Sequence, residues 1–275
     1  MIGVFDSGIG GLSVLKSLRA ALPQQDFIYI ADSAHAPYGE RTDDHVLQRT
    51  QAIGAWLVAQ QIEALVVACN TATAAAVHLL RAGFADLPIV GLEPALKPAA
   101  ARSQTGRIGV MATRSTLSSA KFHALHTALA NEADFTLQAC DGLAAAIERG
   151  GSSAAADDDI HALCARHVSA MGRFGQGPGE IDTLVLGCTH YPLVADVLGA
   201  LVGPAVALMD TGEAVARQTA RLLAARPASA ADNNGAEAAP GDGQVTLLTT
   251  GDPGLLTQAA ARWLGLSVVA SRIDV

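Results

Sequence analysis

Short unbroken apolar runs alternate along this chain with longer segments whose apolar positions recur at helical spacing. The runs are Ile2–Phe5, Phe27–Ala31, Ala64–Ala68, Ile89–Leu92, Ile108–Ala112, Leu184–Gly187 and Thr246–Thr250. The helical patterns fall at Gly11–Ala21, Asp43–Gln61, Ala72–Ala82, Thr116–Ala130, Asp157–Met171 and Gly212–Ala225. Strands of four or five continuous apolar residues must be covered on both faces, which is the mark of parallel sheets. The alternation predicts an α/β protein with doubly wound parallel sheets and ligands at the carboxyl ends of the strands.

A faint internal repeat refines this. Ile2-Gly3-Val4 reappears as Ile108-Gly109-Val110, and Leu65-Val66-Val67-Ala68-Cys69 is echoed by Leu184-Val185-Leu186-Gly187-Cys188. Both echoes fall in the same order, so two similar domains facing one another are expected, related by pseudo-symmetry, with the active site in the cleft between them. Pro94 and Pro98 mark the first crossing between them, and Asp210-Thr211-Gly212 the second. The expected division is 1–97 plus 210–275 for the first domain and 98–209 for the second. Arg226–Gly243, rich in Ala, Gly, Asn and Pro, reads as a mobile surface loop. The strand Val245–Thr250 and a helix at Leu255–Leu264 then rejoin the first domain.

Composition narrows the function. With 275 residues, 50% hydrophobic and 16% charged, the bulk of the chain is not disordered. A net charge of −8 argues against nucleic acid as the primary partner. The opening MIGVFDSG has no leader character, and no run is long and apolar enough to span a bilayer, so a cytoplasmic protein without membrane contact is expected. Cys69, Cys140, Cys164 and Cys188 form no CxxC pair, so neither a zinc site nor a dithiol redox site is indicated, and free thiols are expected.

Three segments could carry chemistry. Asp6-Ser7-Gly8-Ile9-Gly10-Gly11 follows a buried strand and opens a helix. The third glycine of a dinucleotide loop would fall at Ser13, so that fingerprint fails. A tight turn capped by Asp6 and an anion-attracting helix N-terminus both remain open. Cys69-Asn70-Thr71 stands at a strand end where helix-terminal N–H groups would lower a thiol pKa, although a buried structural cysteine explains it as well. Cys188-Thr189-His190 repeats that setting, with His190 two residues from the thiol as base or orienter.

A Cys188–His190 pair alone suggests a thiol hydrolase. Two strand-end thiols in repeated halves suit a different chemistry, because inverting a stereocentre needs a base on one face and an acid on the other. A non-catalytic anion-binding module at Asp6–Gly11 would leave both thiols unexplained. Cys140 and Cys164 lack such settings and read as structural. In Tyr38-Gly39-Glu40-Arg41-Thr42, the glycine would let backbone N–H groups approach a ligand carboxylate. Glu148 reads by itself as a solvated charge. His35, His45, His78, His123, His126, His161 and His167 share no ligand spacing, so no metal site is expected.

The blocks IGVFDSGIGGLSVL at 2–15, YIADSAHAPYGERT at 29–42, ALVVACNTATAAA at 64–76, IVGLEPALKPA at 89–99, IGVMATRSTL at 108–117, LVLGCTHYPLV at 184–194 and MDTGEAVA at 209–216 together resemble the glutamate racemases of the aspartate/glutamate racemase superfamily. The resemblance implies a cofactor-independent isomerase that interconverts L- and D-glutamate and supplies D-glutamate for peptidoglycan synthesis, and hence cell-wall biogenesis and cell shape. The nearest variant would act on aspartate. Carried over by motif, Cys69 and Cys188 would be the proton donor/acceptors, and Asp6 and Ser7 would contact substrate and tune Cys69. Tyr38, Gly39, Asn70, Thr71 and Thr189 would bind substrate, and His190 would assist Cys188. The block CDGLAAAIERG at 140–150 resembles the family's segment carrying a glutamate near the second cysteine. That would make Glu148 catalytic, although Asp141 and Ala145 replace its usual prolines. The expected partner is the small-molecule substrate, with a homodimer as the expected assembly.

Overall fold

The computed structural model describes residues 1–150, 154–225 and 243–275. The expected loop Arg226–Gly243 lies outside the described residues, except for Gly243. The first half builds β1 (Ile2–Asp6), α1 (Leu12–Ala21), β2 (Phe27–Ala31), α2 (Asp43–Ala59), β3 (Ala64–Val67), α3 (Asn70–Gly83), β4 (Ile89–Gly91) and α4 (Leu96–Arg102). There follow β5 (Arg107–Ala112), α5 (Arg114–Ser118), α6 (Ala120–Ala128), β6 (Asp134–Ala139), α7 (Leu143–Arg149), α8 (Ala154–Ser169), β7 (Thr183–Leu186), α9 (Ala195–Val202) and β8 (Ala207–Met209). The chain closes with α10 (Gly212–Ala224), β9 (Val245–Thr249), α11 (Pro253–Leu264) and β10 (Ser271–Arg272).

The strands form two parallel sheets, ordered β10-β9-β2-β1-β3-β4 and β6-β5-β7-β8. Both faces of the first are covered, as its apolar runs require. Ile2, Val4, Tyr29 and Val66 pack with Leu12, Leu15 and Leu18 of α1. Phe5, Ile30 and Val67 pack with Ile53 and Leu57 of α2 and Val77 and Leu80 of α3. The second sheet repeats the order of β2-β1-β3-β4, so β1 matches β5 and β3 matches β7. In each copy the connection reverses direction at the same central strand, and such a reversal leaves a crevice at the strand ends.

The structure departs from the sequence pattern in several places. The single helix expected over Thr116–Ala130 is broken at Ser119, whose extended backbone ends α5 and whose hydroxyl accepts the Phe122 N–H to cap α6. Strand β6 has no apolar run because it lies at a sheet edge with no fully buried residue. Helix α7, the helical run that ends beside Glu148, starts after Gly142, which adopts a left-handed conformation with φ of 81°.

Candidate active site

The two strand-end cysteines occupy one position in the repeated topology. The Ala68 N–H donates to the Phe5 carbonyl at 2.7 Å, and the Gly187 N–H donates to the Met111 carbonyl at 2.7 Å. In each copy the thiol-bearing residue comes next. Cys69 and Cys188 line one small cavity together with Ser7, Tyr38, Gly39, Asn70, Thr71, Thr189 and His190. A larger cleft of about 760 Å³ opens where Glu93–Pro98 and Asp210–Arg217 cross between the sheets, but its lining includes neither thiol. The chemistry therefore points to the smaller cavity.

Each thiol has its own supporting groups. Cys69 N-caps α3, accepting the Ala72 N–H at 3.5 Å, and lies 3.8 Å from Ser7 Oγ. The Ser7 hydroxyl in turn donates to Asp6 Oδ1 at 3.4 Å. The helix N–H was expected to lower the Cys69 pKa. Instead burial, reinforced by the negative charge of Asp6, raises it well above the ordinary thiol value, and the Ala72 N–H opposes this only in part. Asp6 is fully buried, and its carboxyl is pushed up to about 6, chiefly by that burial.

On the other side, Cys188 Sγ lies 3.8 Å from His190 Nδ1, and His190 Nε2 lies 2.7 Å from Glu148 Oε2. Burial disfavours a charged imidazole, but the bonds to Cys188 and Glu148 outweigh it and hold the His190 pKa well above its ordinary value. Glu148 is thus no solvated charge. It stands behind His190 rather than in the cavity wall, and it also accepts the Ile9 N–H at 2.8 Å. The Gly11 N–H is taken by Asp6 Oδ2 at 2.5 Å. The turn after β1 therefore spends two of its N–H groups on the protein's own carboxylates.

The remaining residues close the walls. Tyr38 donates to Asp32 Oδ2 at 2.5 Å, and Asp32 is paired by Arg49 Nε and Nη2 at 2.9 and 2.8 Å and by Thr250 Oγ1 at 2.8 Å. A β-carbon on Gly39 would lie 2.9 Å from Thr113 Cβ, so glycine is what lets this loop meet the second sheet. Thr189 Oγ1 reaches Asp6 Oδ2 at 3.4 Å. Asn70 is buried, and its Oδ1 has no hydrogen-bond partner among the described residues. Cys140 and Cys164 are buried in the core. His35 and His45 contact each other beside Tyr38.

Sequence reasoning missed Thr113 and Thr116, which also line the cavity and bond to one another at 2.9 Å, with Thr113 3.4 Å from Thr71 Oγ1. The repeat held the signal. Thr113 follows β5 as Ser7 follows β1, at the offset that relates Ile2 to Ile108.

Two parallel sheets each end a matched strand in a thiol, and both thiols line one cavity. The sequence pattern of the family described as Asp/Glu/Hydantoin racemase matches residues 2–219. The chain belongs to this family of isomerases. Within it, the chain is similar to curated glutamate racemases. It is 47% identical over 225 residues to that of Pseudomonas aeruginosa, covering 82% of each, and 43% identical over 274 residues to that of Ralstonia pickettii, covering 100% of this chain and 91% of the relative. Among solved structures it resembles the glutamate racemase isoform RacE1 of Bacillus anthracis, with TM-score 0.80 and 28% identity over 100% of this chain and 97% of that one. It also resembles the Escherichia coli glutamate racemase in complex with L-glutamate and the activator UDP-MurNAc-ala, with TM-score 0.78 and 30% identity over 99% and 97%.

Proposed function

We propose that this protein is a glutamate racemase that interconverts L- and D-glutamate by proton transfer between two cysteines, supplying D-glutamate for peptidoglycan. The observation that carries the reading is the pair Cys69 and Cys188, at equivalent strand ends and in the wall of one cavity. One thiolate removes the α-proton and the opposite thiol delivers another to the far face. Residues 1–97 with 210–275 form one domain and 98–209 the other, each contributing one cysteine. When the α-carbon lies about 3–3.5 Å from each sulfur, the sulfurs stand about 6–7.5 Å apart.

Cys69 works with Ser7 and Asp6, and Cys188 with His190 and Glu148. Glutamate brings two carboxylates, yet the described cavity wall contains neither Lys nor Arg. Binding therefore rests on the N-terminal N–H groups of α3 and the Gly39 backbone, together with the hydroxyls of Ser7, Thr71, Thr113, Thr116 and Thr189. The unpartnered Asn70 Oδ1 is the natural acceptor for the ammonium group. Tyr38 holds the loop through Asp32. No described helix is long and apolar enough to cross a membrane. The proposed enzyme works in the cytoplasm as a homodimer, on a free amino acid and not on nucleic acid.

Incubation with L-glutamate and, separately, L-aspartate, followed by chiral chromatography, tests the reading. D-glutamate should form, and the Cys69→Ala and Cys188→Ala variants should form none. Residual racemisation by Cys69→Ala would point to a one-thiol enzyme centred on Cys188, and preferential turnover of aspartate would change the substrate.

A further inference from the structure

Glu148 belongs to α7, beside the second sheet, yet two of its three hydrogen-bond partners among the described residues come from loops of the first. Oε2 accepts the Ile9 N–H at 2.8 Å and faces His190 Nε2 at 2.7 Å. Oε1 accepts the Ser33 hydroxyl at 2.9 Å. Ser33 directly follows Asp32 at the end of β2 and is absent from the cavity wall. The last torsion of a glutamate is broad and roughly two-fold, so a carboxylate held at one oxygen can still swing. A donor on each oxygen fixes its plane. With Oε1 taken by Ser33, Oε2 is the oxygen offered to the imidazole. A carboxylate at Nε2 keeps a proton on that nitrogen and leaves Nδ1 facing the Cys188 sulfur, 3.8 Å away.

We propose that Ser33 is a positioning residue for the Cys188 side of the site. Its hydroxyl, from the first sheet's loops, fixes the Glu148 carboxylate of the second unit and through it the His190 ring against Cys188. This rests on the reading of Cys188 as a proton-transfer thiol. The arrangement is asymmetric: Cys69, Ser7 and Asp6 all sit on elements of the first sheet, whereas the Cys188 set is held together by bonds that span both. Other titratable groups face this ensemble. Asp6 comes from β1, Tyr29 from β2 and Cys188 from the end of β7, while Arg262 of α11 lines a small cavity beside Glu148. Removing one neutral hydroxyl changes the charge of none of them.

Site-resolved alkylation of the full-length protein by iodoacetamide, read by mass spectrometry between about pH 6 and 9, follows each thiolate separately. Ser33→Ala should slow alkylation of Cys188 about threefold to tenfold across this range. Cys69 should be unaffected. In a Glu148→Gln background the same substitution should add nothing, because Ser33 acts through the carboxylate. An unchanged Cys188 profile, an equal change at both thiols, or an additive effect in the Glu148→Gln background overturns the proposal. Racemisation by the wild type and its loss in Cys188→Ala test the underlying reading on their own, since alkylation needs no turnover.

Discussion

Gly10 and His190 approach so closely that no β-carbon fits between them: one built on Gly10 would lie 2.4 Å from His190 Nδ1 and 2.7 Å from Thr189 Oγ1. Gly8 is in the same position toward Glu148, where a β-carbon would fall 2.2 Å from Oε2. Neither glycine has a positive φ, so the turn after β1 uses glycine for closeness and not for backbone freedom. Gly10→Ala should therefore fold but push His190 off Cys188. Overpacking of this kind costs about 1–3 kcal/mol, and kcat/KM should fall on the order of a hundredfold. Steady-state kinetics beside thermal unfolding check this, and wild-type kinetics would count against the assignment of His190.

Asp6 carries a stability penalty from its burial. Its carboxyl is pushed up to about 6 by burial, with Glu148 adding to the shift and His190 and the Gly11 N–H opposing it. The unfolded chain, with the ordinary value of 3.8, favours ionisation more strongly than the fold does. Stability from this group is therefore intact below about pH 4 and declines as pH rises to about 6, by about 3 kcal/mol in all. Asp6→Asn should be more stable than the wild type at pH 7 by about 1–3 kcal/mol, with the advantage gone near pH 4, while racemisation falls by orders of magnitude. Urea unfolding at the two pH values decides, and an advantage independent of pH would exclude burial as the cause.

The main strands were legible in the sequence because they are unbroken apolar runs, and both thiols because the matched runs Ala64–Ala68 and Leu184–Gly187 each lead into a cysteine. The edge strand β6 carried no such signal, since Asp134–Ala139 alternates and stays partly exposed. The three-residue β8 was legible only as an ending at Met209. Glu148 could be reached only through resemblance. Its carboxylate is held by Ile9, 139 residues away, and by Ser33, 115 away, and no local periodicity encodes contacts of that span. Thr113 was readable in principle, because the repeat that paired the cysteines also pairs it with Ser7.

Asp32 shows the reverse electrostatic outcome from Asp6. It is equally buried, but bidentate Arg49, Tyr38 and Thr250 hold its carboxyl below the ordinary range despite burial. A depressed folded pKa contributes stability that is present above the unfolded value and lost as pH falls through the folded one. Arg49→Met leaves a buried carboxylate without its cation and should cost about 3–5 kcal/mol at pH 7. Its stability should also change less on acidification than that of the wild type. Urea titrations between about pH 3 and 7 measure both effects. Asp32→Asn added to Arg49→Met should recover part of the loss, and no recovery would mean that Arg49 stabilises by packing alone.

The two-thiol mechanism makes a prediction about isotopes that no one-thiol scheme shares. With Cys69 on one face and Cys188 on the other, a given enantiomer gives its α-proton to only one of them. The proton returned comes from the opposite thiol, which exchanges with solvent while the site is empty. L-glutamate in D₂O should therefore yield D-glutamate carrying deuterium at the α-carbon, while L-glutamate recovered early in the reaction remains largely unlabelled. A single base serving both faces would instead carry the original proton across or label both pools alike. Running the reaction from D-glutamate should give the mirror result, with label first in the L-pool. Early labelling of the recovered substrate alone would show that the abstracting thiol exchanges and returns deuterium to the same face, whereas equal early labelling of both pools would exclude the strict division of labour between Cys69 and Cys188.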